Sequence, residues 1–278
     1  MDVDKNSYTF SFAAIMVIVV AVILSGTSII LKDAQYSNVE LEKKQNILRS
    51  VGVNVNRDQA AIEYPIYIKE ELVLNHLGEI INNLSAFDVD LSKEVKKSIV
   101  EDDQNIPLEE RTSLLPLYIS EVEGEKKYII PLRGKGLWGP IWGFISFNAD
   151  LNTVYAAVFD HKAETPGLGA EINTPLFQDV FQGKTIFEEG KFVSIYVQKG
   201  GSNGDIHKVN GISGGTITSD GVTDMLEERL KRYLPYFRLN EDNQENKRKE
   251  KEVRSVMEAI NIDEKRDSIS NIGKREID

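Results

Sequence analysis

No cysteine occurs among the 278 residues. That excludes disulfides, thiol nucleophiles, cysteine-ligated iron–sulfur clusters and thioether-linked haem. Histidine is scarce: His76, His161 and His207 stand far apart, and no pair has the close spacing of zinc ligands on one helix. Basic residues are outnumbered, with 33 Lys and Arg against 44 Asp and Glu, for a net charge of −11. Such a chain lacks the basic footprint that nucleic acid requires, and its surface charge does not attract anionic lipid headgroups. What is present suffices for a packed core: 41% of residues are hydrophobic and 28% charged. The length allows one good-sized domain with appendages.

No charged residue occurs from Asn6 to Leu31, and Phe12 to Leu24 is almost wholly apolar. About 20 such residues cross a bilayer. The start, Met1-Asp-Val-Asp-Lys5, is as acidic as it is basic, unlike the basic start of a cleaved signal peptide. The segment reads as an uncleaved single-pass anchor. Lys32, Lys43, Lys44 and Arg49 follow it and only Lys5 precedes it. Counted naively, that bias places the C-terminal bulk in the cytoplasm.

Beyond the anchor (residues 1–35), Tyr36 to Val51 reads as a helix stopped by Gly52. Residues 36–110 form a mixed, membrane-proximal part, with helical periodicity over Ile68 to Leu84 and a polar loop over Glu101 to Glu110. Strand patterns dominate 111–239. Leu114–Val122 and Lys127–Leu132 flank a Glu123-Gly-Glu125 turn; Ile141–Asn148 and Asn152–Phe159 form a second pair; Phe192–Val197 is a further strand. Pro175–Gln182 reads as a short helix, and Thr223–Tyr236 as a longer one with Met225, Leu226, Leu230 and Leu234 on its apolar positions. Strands segregated from helices, without regular alternation, predict an α+β domain with an antiparallel sheet. Residues 240–278 read as a charged tail in which Val253, Val256, Met257 and Ile260 can line one face of a helix.

Three glycine-rich stretches carry the chemistry. Pro131 to Gly143 holds four glycines and both tryptophans, Trp138 and Trp142, a composition suited to a slot for a planar ring. Its Gly134-Lys-Gly-Leu-Trp-Gly139 spells a dinucleotide fingerprint, but Pro140 and a strand-like run follow where a helix is required. His161 to Ala170 follows a strand and offers backbone N–H groups and the Thr165 hydroxyl. Asn210 to Val222 leads into a helix, with Thr218, Ser219 and Asp220 as N-cap candidates, and such a helix start favours phosphate. Gly211-Ile-Ser-Gly-Gly215 matches the letters of a hydrolase elbow, yet no histidine follows Ser213, as that chain order demands.

Together, Glu164-Thr-Pro-Gly-Leu-Gly169, Ser213-Gly-Gly-Thr216 and the Gly-Leu-Trp-Gly-Pro-Ile-Trp-Gly run resemble the FMN-binding domain of the C-subunit of the sodium-translocating NADH:quinone oxidoreductases. The G-subunit of the Rnf electron-transport complex is similar, and the tryptophan run favours the former. The resemblance extends from the anchor to about Leu239. The family's flavinylation motif is usually Asp-x-x-Ser-Gly-Ala-Thr, and its threonine aligns with Thr216; Asn210 and Gly215 are departures. The resemblance implies FMN held by a phosphoester to Thr216, with Thr218 as a weaker acceptor. It implies that Ser213, Gly214 and Gly215 surround the attachment point, and that Trp138, Glu164, Thr165, Gly167, Leu168 and Gly169 bind the cofactor. It also implies a flavin transferase for maturation, other membrane subunits and lipid as partners, no NADH site on this chain, and a periplasmic soluble domain in a bacterial inner membrane. Electrons would pass from NADH towards quinone, coupled to sodium export. Two other readings stand beside it: a tethered scaffold domain without redox chemistry, and a sensor binding a planar ligand reversibly.

Overall fold

The computed structural model describes residues 6–241 and Lys249. Helix α1, Asn6–Arg49, merges the anchor and the helix expected after it into one rod. No proline interrupts it, and at 1.5 Å per residue it is about 66 Å long, more than twice a bilayer core. Its most apolar 18-residue window has a mean hydropathy of 2.8 and buries nothing against the protein. Only Ile47 and Leu48 of this helix are buried. The chain is therefore anchored at its start and packs its domain against the far end of the same helix.

A turn at Gly52 (φ 78°) ends the rod. Helix α2, Arg57–Tyr67, begins with a capping box in which Asn56 and Gln59 satisfy each other's backbone N–H groups. Strand β1, Ile68–Leu74, follows at once. Helical periodicity predicts a helix over 68–84, and the structure corrects this. Val73 and Leu74 are both fully buried on opposite faces of the sheet, so apolar residues occur at consecutive as well as alternate positions. A strand covered on both faces loses the simple alternation that would reveal it. Helix α3, Leu91–Asp103, is N-capped by Asp90, so the loop expected from Glu101 begins only after Gln104.

Strands β2 (Leu115–Val122), β3 (Glu125–Lys135), β4 (Pro140–Phe147) and β5 (Val154–His161) complete a five-stranded antiparallel sheet in the order β1-β2-β3-β4-β5. Glu123 and Gly124, both at positive φ (53° and 79°), make the tight β2–β3 turn. Side chains alternate between two cores. Leu117, Ile119, Ile130 and Phe147 face one side, and Tyr118, Ile129, Phe144 and Val158 the other. The second core is closed by Ile47, Leu48, Ala60 and Tyr64 from α1 and α2. The first is closed by the C-terminal helix, α5, over 216–241, through Val222, Met225, Leu226, Leu230, Tyr233 and Phe237. Between β5 and α5 lie the short helix α4, Pro175–Gln178, and two small ladders, β6–β7 (Phe187–Glu188, Lys191–Phe192) and β8–β9 (Tyr196–Gln198, Lys208–Asn210). The expected strand at Phe192–Val197 is thus split, because Ser194 turns at φ 62°. The proposed helical face of Val253, Val256, Met257 and Ile260 lies outside the described residues.

The sheet has a defined direction relative to the anchor. Ser146 on β4 donates to the carbonyl of Ser50 at the end of α1. Earlier residues of α1, Val39 to Asn46, share a cavity of about 440 Å³ with Arg133 and Trp142. Moving along β4 towards the 136–139 turn therefore means moving along α1 towards the membrane span.

Candidate functional site

The 136–139 turn joins β3 to β4, the 162–168 segment follows β5, and the 211–215 turn precedes α5. All three glycine-rich stretches meet at this one end of the sheet. Their glycines are what permits the approach. A Cβ on Gly136 would lie 2.6 Å from Glu164 Oε1, and one on Gly169 2.6 Å from Glu164 Oε2 and closer still to the Thr218 hydroxyl. A Cβ on Gly214, at φ 74°, would lie 2.6 Å from Leu168 Cδ2. At Gly136 and Gly169 a Cβ would overlap buried neighbours, and at Gly214 the positive φ favours glycine.

Glu164 stands at the centre. Its carboxylate accepts from the Trp138 backbone N–H at 2.9 Å and from the Thr218 hydroxyl at 2.6 Å. Its own N–H donates to His161 Nδ1 at 3.2 Å. Only 5% exposed, it lies behind the surface of the site. Trp138 is 65% exposed, and Leu137, Leu168 and Ile217 are also exposed. Thr165 and Gly167 are exposed, while Gly169 is buried. Trp142 departs from the expected slot: it lines the cavity against α1, and no ring contact joins it to Trp138 among the described residues.

Helix α5 starts earlier than its apolar pattern indicates. Thr216 is its first residue, so Thr218, Ser219 and Asp220 lie within the helix, not at the N-cap. The N–H of Ser219 donates to the carbonyl of Gly215 at 2.9 Å. The N–H groups of residues 216–218 thus have no acceptor within the helix. The Ser219 hydroxyl reaches back to accept from the Ile212 N–H at 3.1 Å. Four hydroxyls on this turn therefore differ in access. Thr218 is 1% exposed and Ser219 3%. Ser213 is exposed and Thr216 partly so. Only Thr216 combines access with a position on the helix itself, where the dipole and free N–H groups favour an anion.

Asn210 and Gly215, the two departures from the motif, each meet specific neighbours. Asn210 Oδ1 accepts from the Ser202 N–H at 2.6 Å, a bond that an aspartate oxygen makes equally well. A Cβ on Gly215 would lie 3.0 Å from Ile212 Cγ2 and 3.2 Å from the Gly169 nitrogen, so alanine there needs a small shift of its neighbours.

A family model described as the FMN-binding domain matches residues 136–231, which takes in all three glycine-rich turns. The C-subunit of the Na(+)-translocating NADH-quinone reductase of Vibrio alginolyticus is 33% identical over 79% of this chain and 88% of its own length. The chain belongs to the family of these C-subunits. The corresponding protein of Haemophilus ducreyi is 30% identical over 79% of this chain and 87% of its own. A crystal structure of the family's member from Parabacteroides distasonis superposes with a TM-score of 0.66 at 41% identity, covering 74% of this chain and 96% of that one. That likeness confirms the α+β architecture of antiparallel sheet and flanking helices. The family members are, by name, subunits of an oxidoreductase.

The remaining histidines sit elsewhere. His207 Nδ1 bonds the Thr185 carbonyl at 2.8 Å. His76 is buried, with Nε2 2.6 Å from Ser113 Oγ, whose hydroxyl donates to Glu101 at 2.5 Å. Glu101 hydrogen-bonds the serine and comes no nearer than 3.7 Å to the histidine, which is the wrong order for a nucleophilic triad. Among the described residues no cluster of His, Asp and Glu suited to a metal ion occurs.

Proposed function

We propose that this chain is an electron-carrier subunit holding FMN by a phosphoester to Thr216. The observation that carries it is the Thr216 hydroxyl, partly exposed at the first position of α5 where three glycine-rich turns converge. The residues suit the group. A phosphate on Thr216 Oγ would meet the N–H groups of residues 216–218 and the helix dipole. Gly214 and Gly215 leave the threonine standing clear of bulky neighbours, which suits its presentation to a separate flavin transferase. Trp138 and Leu168, with Thr165 nearby, are exposed on the same surface and suit contact with the isoalloxazine ring.

A threonine hydroxyl needs activation to act as a nucleophile. A separate flavin transferase would supply that activation and join the FMN phosphate to Thr216 Oγ. The product is a phosphodiester with one negative charge. The bound flavin supplies electron transfer, and the protein supplies place and environment. The chain then relays electrons within an NADH:quinone reductase that exports sodium, beside other membrane subunits and lipid. The soluble domain sits in the periplasm, with the flavin end of the sheet turned towards the membrane end of α1.

Mass spectrometry of the chain co-expressed with a flavin transferase tests this. An FMN phosphoester on the peptide containing Thr216 supports it. An unmodified chain, from cells whose transferase labels a control, refutes it and favours a scaffold without redox chemistry.

A further inference from the structure

We infer that Glu164 is the positioning residue of this site, fixing the separation between the turn that presents Trp138 and the first turn of α5 that presents Thr216. The ring and attachment roles of those two residues rest on the function proposed above; the clamp rests on geometry alone. One carboxylate oxygen accepts from the Trp138 N–H at 2.9 Å, and the other from the Thr218 hydroxyl at 2.6 Å. Trp138 and Thr218 lie on separate segments 80 residues apart, and Glu164 lies on a third. No other residue's side chain bonds both segments among the described residues.

The packing is built around these two oxygens. Gly136 faces Oε1 and Gly169 faces Oε2, each so close that a methyl group would overlap the carboxylate. Glu164 is 5% exposed and Thr218 1%. Loss of the carboxylate would leave the Thr218 hydroxyl unpaired in a buried place, a costlier condition than loss of a surface bond, and the Trp138 N–H without its acceptor at a part-buried one. Thr218 is the third residue of α5, so the carboxylate also lies at the positive end of that helix. It can thus hold the turn in place while the exposed face of the same turn is left for a phosphate. Glutamine can replace it chemically: its oxygen accepts from the Trp138 N–H, and its amide donates to a Thr218 hydroxyl turned round to accept. Alanine keeps neither link.

Hydrogen exchange provides the test, first on the flavin-free Thr216→Val chain. Adding Glu164→Ala should speed exchange of the Trp138 amide by about tenfold, the factor that one lost hydrogen bond of ordinary strength supplies. Adding Glu164→Gln should keep it within about twofold, because both links survive. On the flavin-loaded chain with Thr216 intact, Glu164→Ala should lower the fluorescence anisotropy of the flavin, and Glu164→Gln should restore it. If Glu164→Ala does not fold, Glu164→Asp, one methylene short of both partners, takes its place with the same expected acceleration. An unchanged Trp138 amide, or equal acceleration at Phe144 and Val158 in the distant second core, overturns the inference, as does a flavin anisotropy equal in all variants. A parent chain without any flavin refutes the function proposed for Thr216, and the exchange result then decides on Glu164 by itself.

Discussion

Thr216 and Thr218 are two residues apart and face in different directions, one to solvent and one to Glu164. Their replacement by valine, which keeps the shape and removes the hydroxyl, should therefore have opposite effects. Thr216→Val should abolish flavin fluorescence on a denaturing gel and leave the melting temperature unchanged. Thr218→Val should retain the flavin band and lower stability by about 1–3 kcal/mol in urea, because it leaves a buried carboxylate oxygen without its donor. A fluorescent band from Thr216→Val would transfer the attachment to another hydroxyl. Gly169→Ala should destabilise the chain by about 1–3 kcal/mol, since its methyl group would overlap both Glu164 Oε2, at 2.6 Å, and the Thr218 hydroxyl. At this scale Thr216 was legible by motif as a candidate, and the close approach of the glycines by their density. The burial of Glu164 was not, because its two donors come from distant segments and nothing in its neighbours announces them.

Among the elements, α5 both closes the first core and presents the site. Leu226 is fully buried on its inner face. Leu226→Ala should cost about 2–5 kcal/mol by urea titration, with flavin attachment retained under conditions where the variant is folded. Apolar spacing revealed α5 from Thr223 onward, but its first two turns pack largely through glycine, hydroxyl and backbone, so the pattern began about two turns late. A Cβ on Gly221 would overlap the carbonyl of Lys135, showing how closely that turn meets the sheet. The hairpin β2–β3 was plain from Glu123-Gly124 between alternating runs. Strand β1 was hidden for the reason that makes it central: both of its faces are covered, one by the core under α5 and the other by α2 and the end of α1.

The whole molecule has a pH-sensitive joint far from the site. His76 lies in a polar network with Ser113 and Glu101, beside the Asp102–Arg232 ion pair that ties α3 to α5 and the Asp102–Arg111 pair that ties α3 to the segment after it. Arg232 is 16 residues from Thr216, about 24 Å along the helix. Burial, aided by Arg232, holds the His76 pKa down at about 4, while Glu101 opposes the shift. In the unfolded chain it titrates near 6.5. A depressed folded pKa means that the unfolded state takes up the proton first, so this contribution is complete above pH 6.5 and is lost as pH falls towards 4. Stability measured in urea should decline from pH 6.5 to 5, and His76→Gln should flatten that decline. An equal slope in both proteins would place the titrating group elsewhere. Glu101 acts lower: burial raises its pKa, and the bonds from Ser113 and Thr112 more than offset this, so its contribution is lost only below the usual carboxylate range.

The anchor is separable at the same scale, because nothing in the first part of α1 packs on the domain. Removal of residues 1–33 should yield a chain that stays in solution without detergent and melts as the full chain does. The anchor, the antiparallel pairs, the absence of cysteine chemistry and the candidacy of Thr216 all follow from local properties: run length, alternation, composition and a short motif. Those signals are carried by neighbours along the chain, so they are readable before any folding. Which hydroxyl is free, which carboxylate joins three turns, and which end of the sheet lies towards the anchor depend on contacts between residues far apart in the chain. Packing settles these, since burial and hydrogen-bond partnership are properties of the assembled space and not of any segment within it.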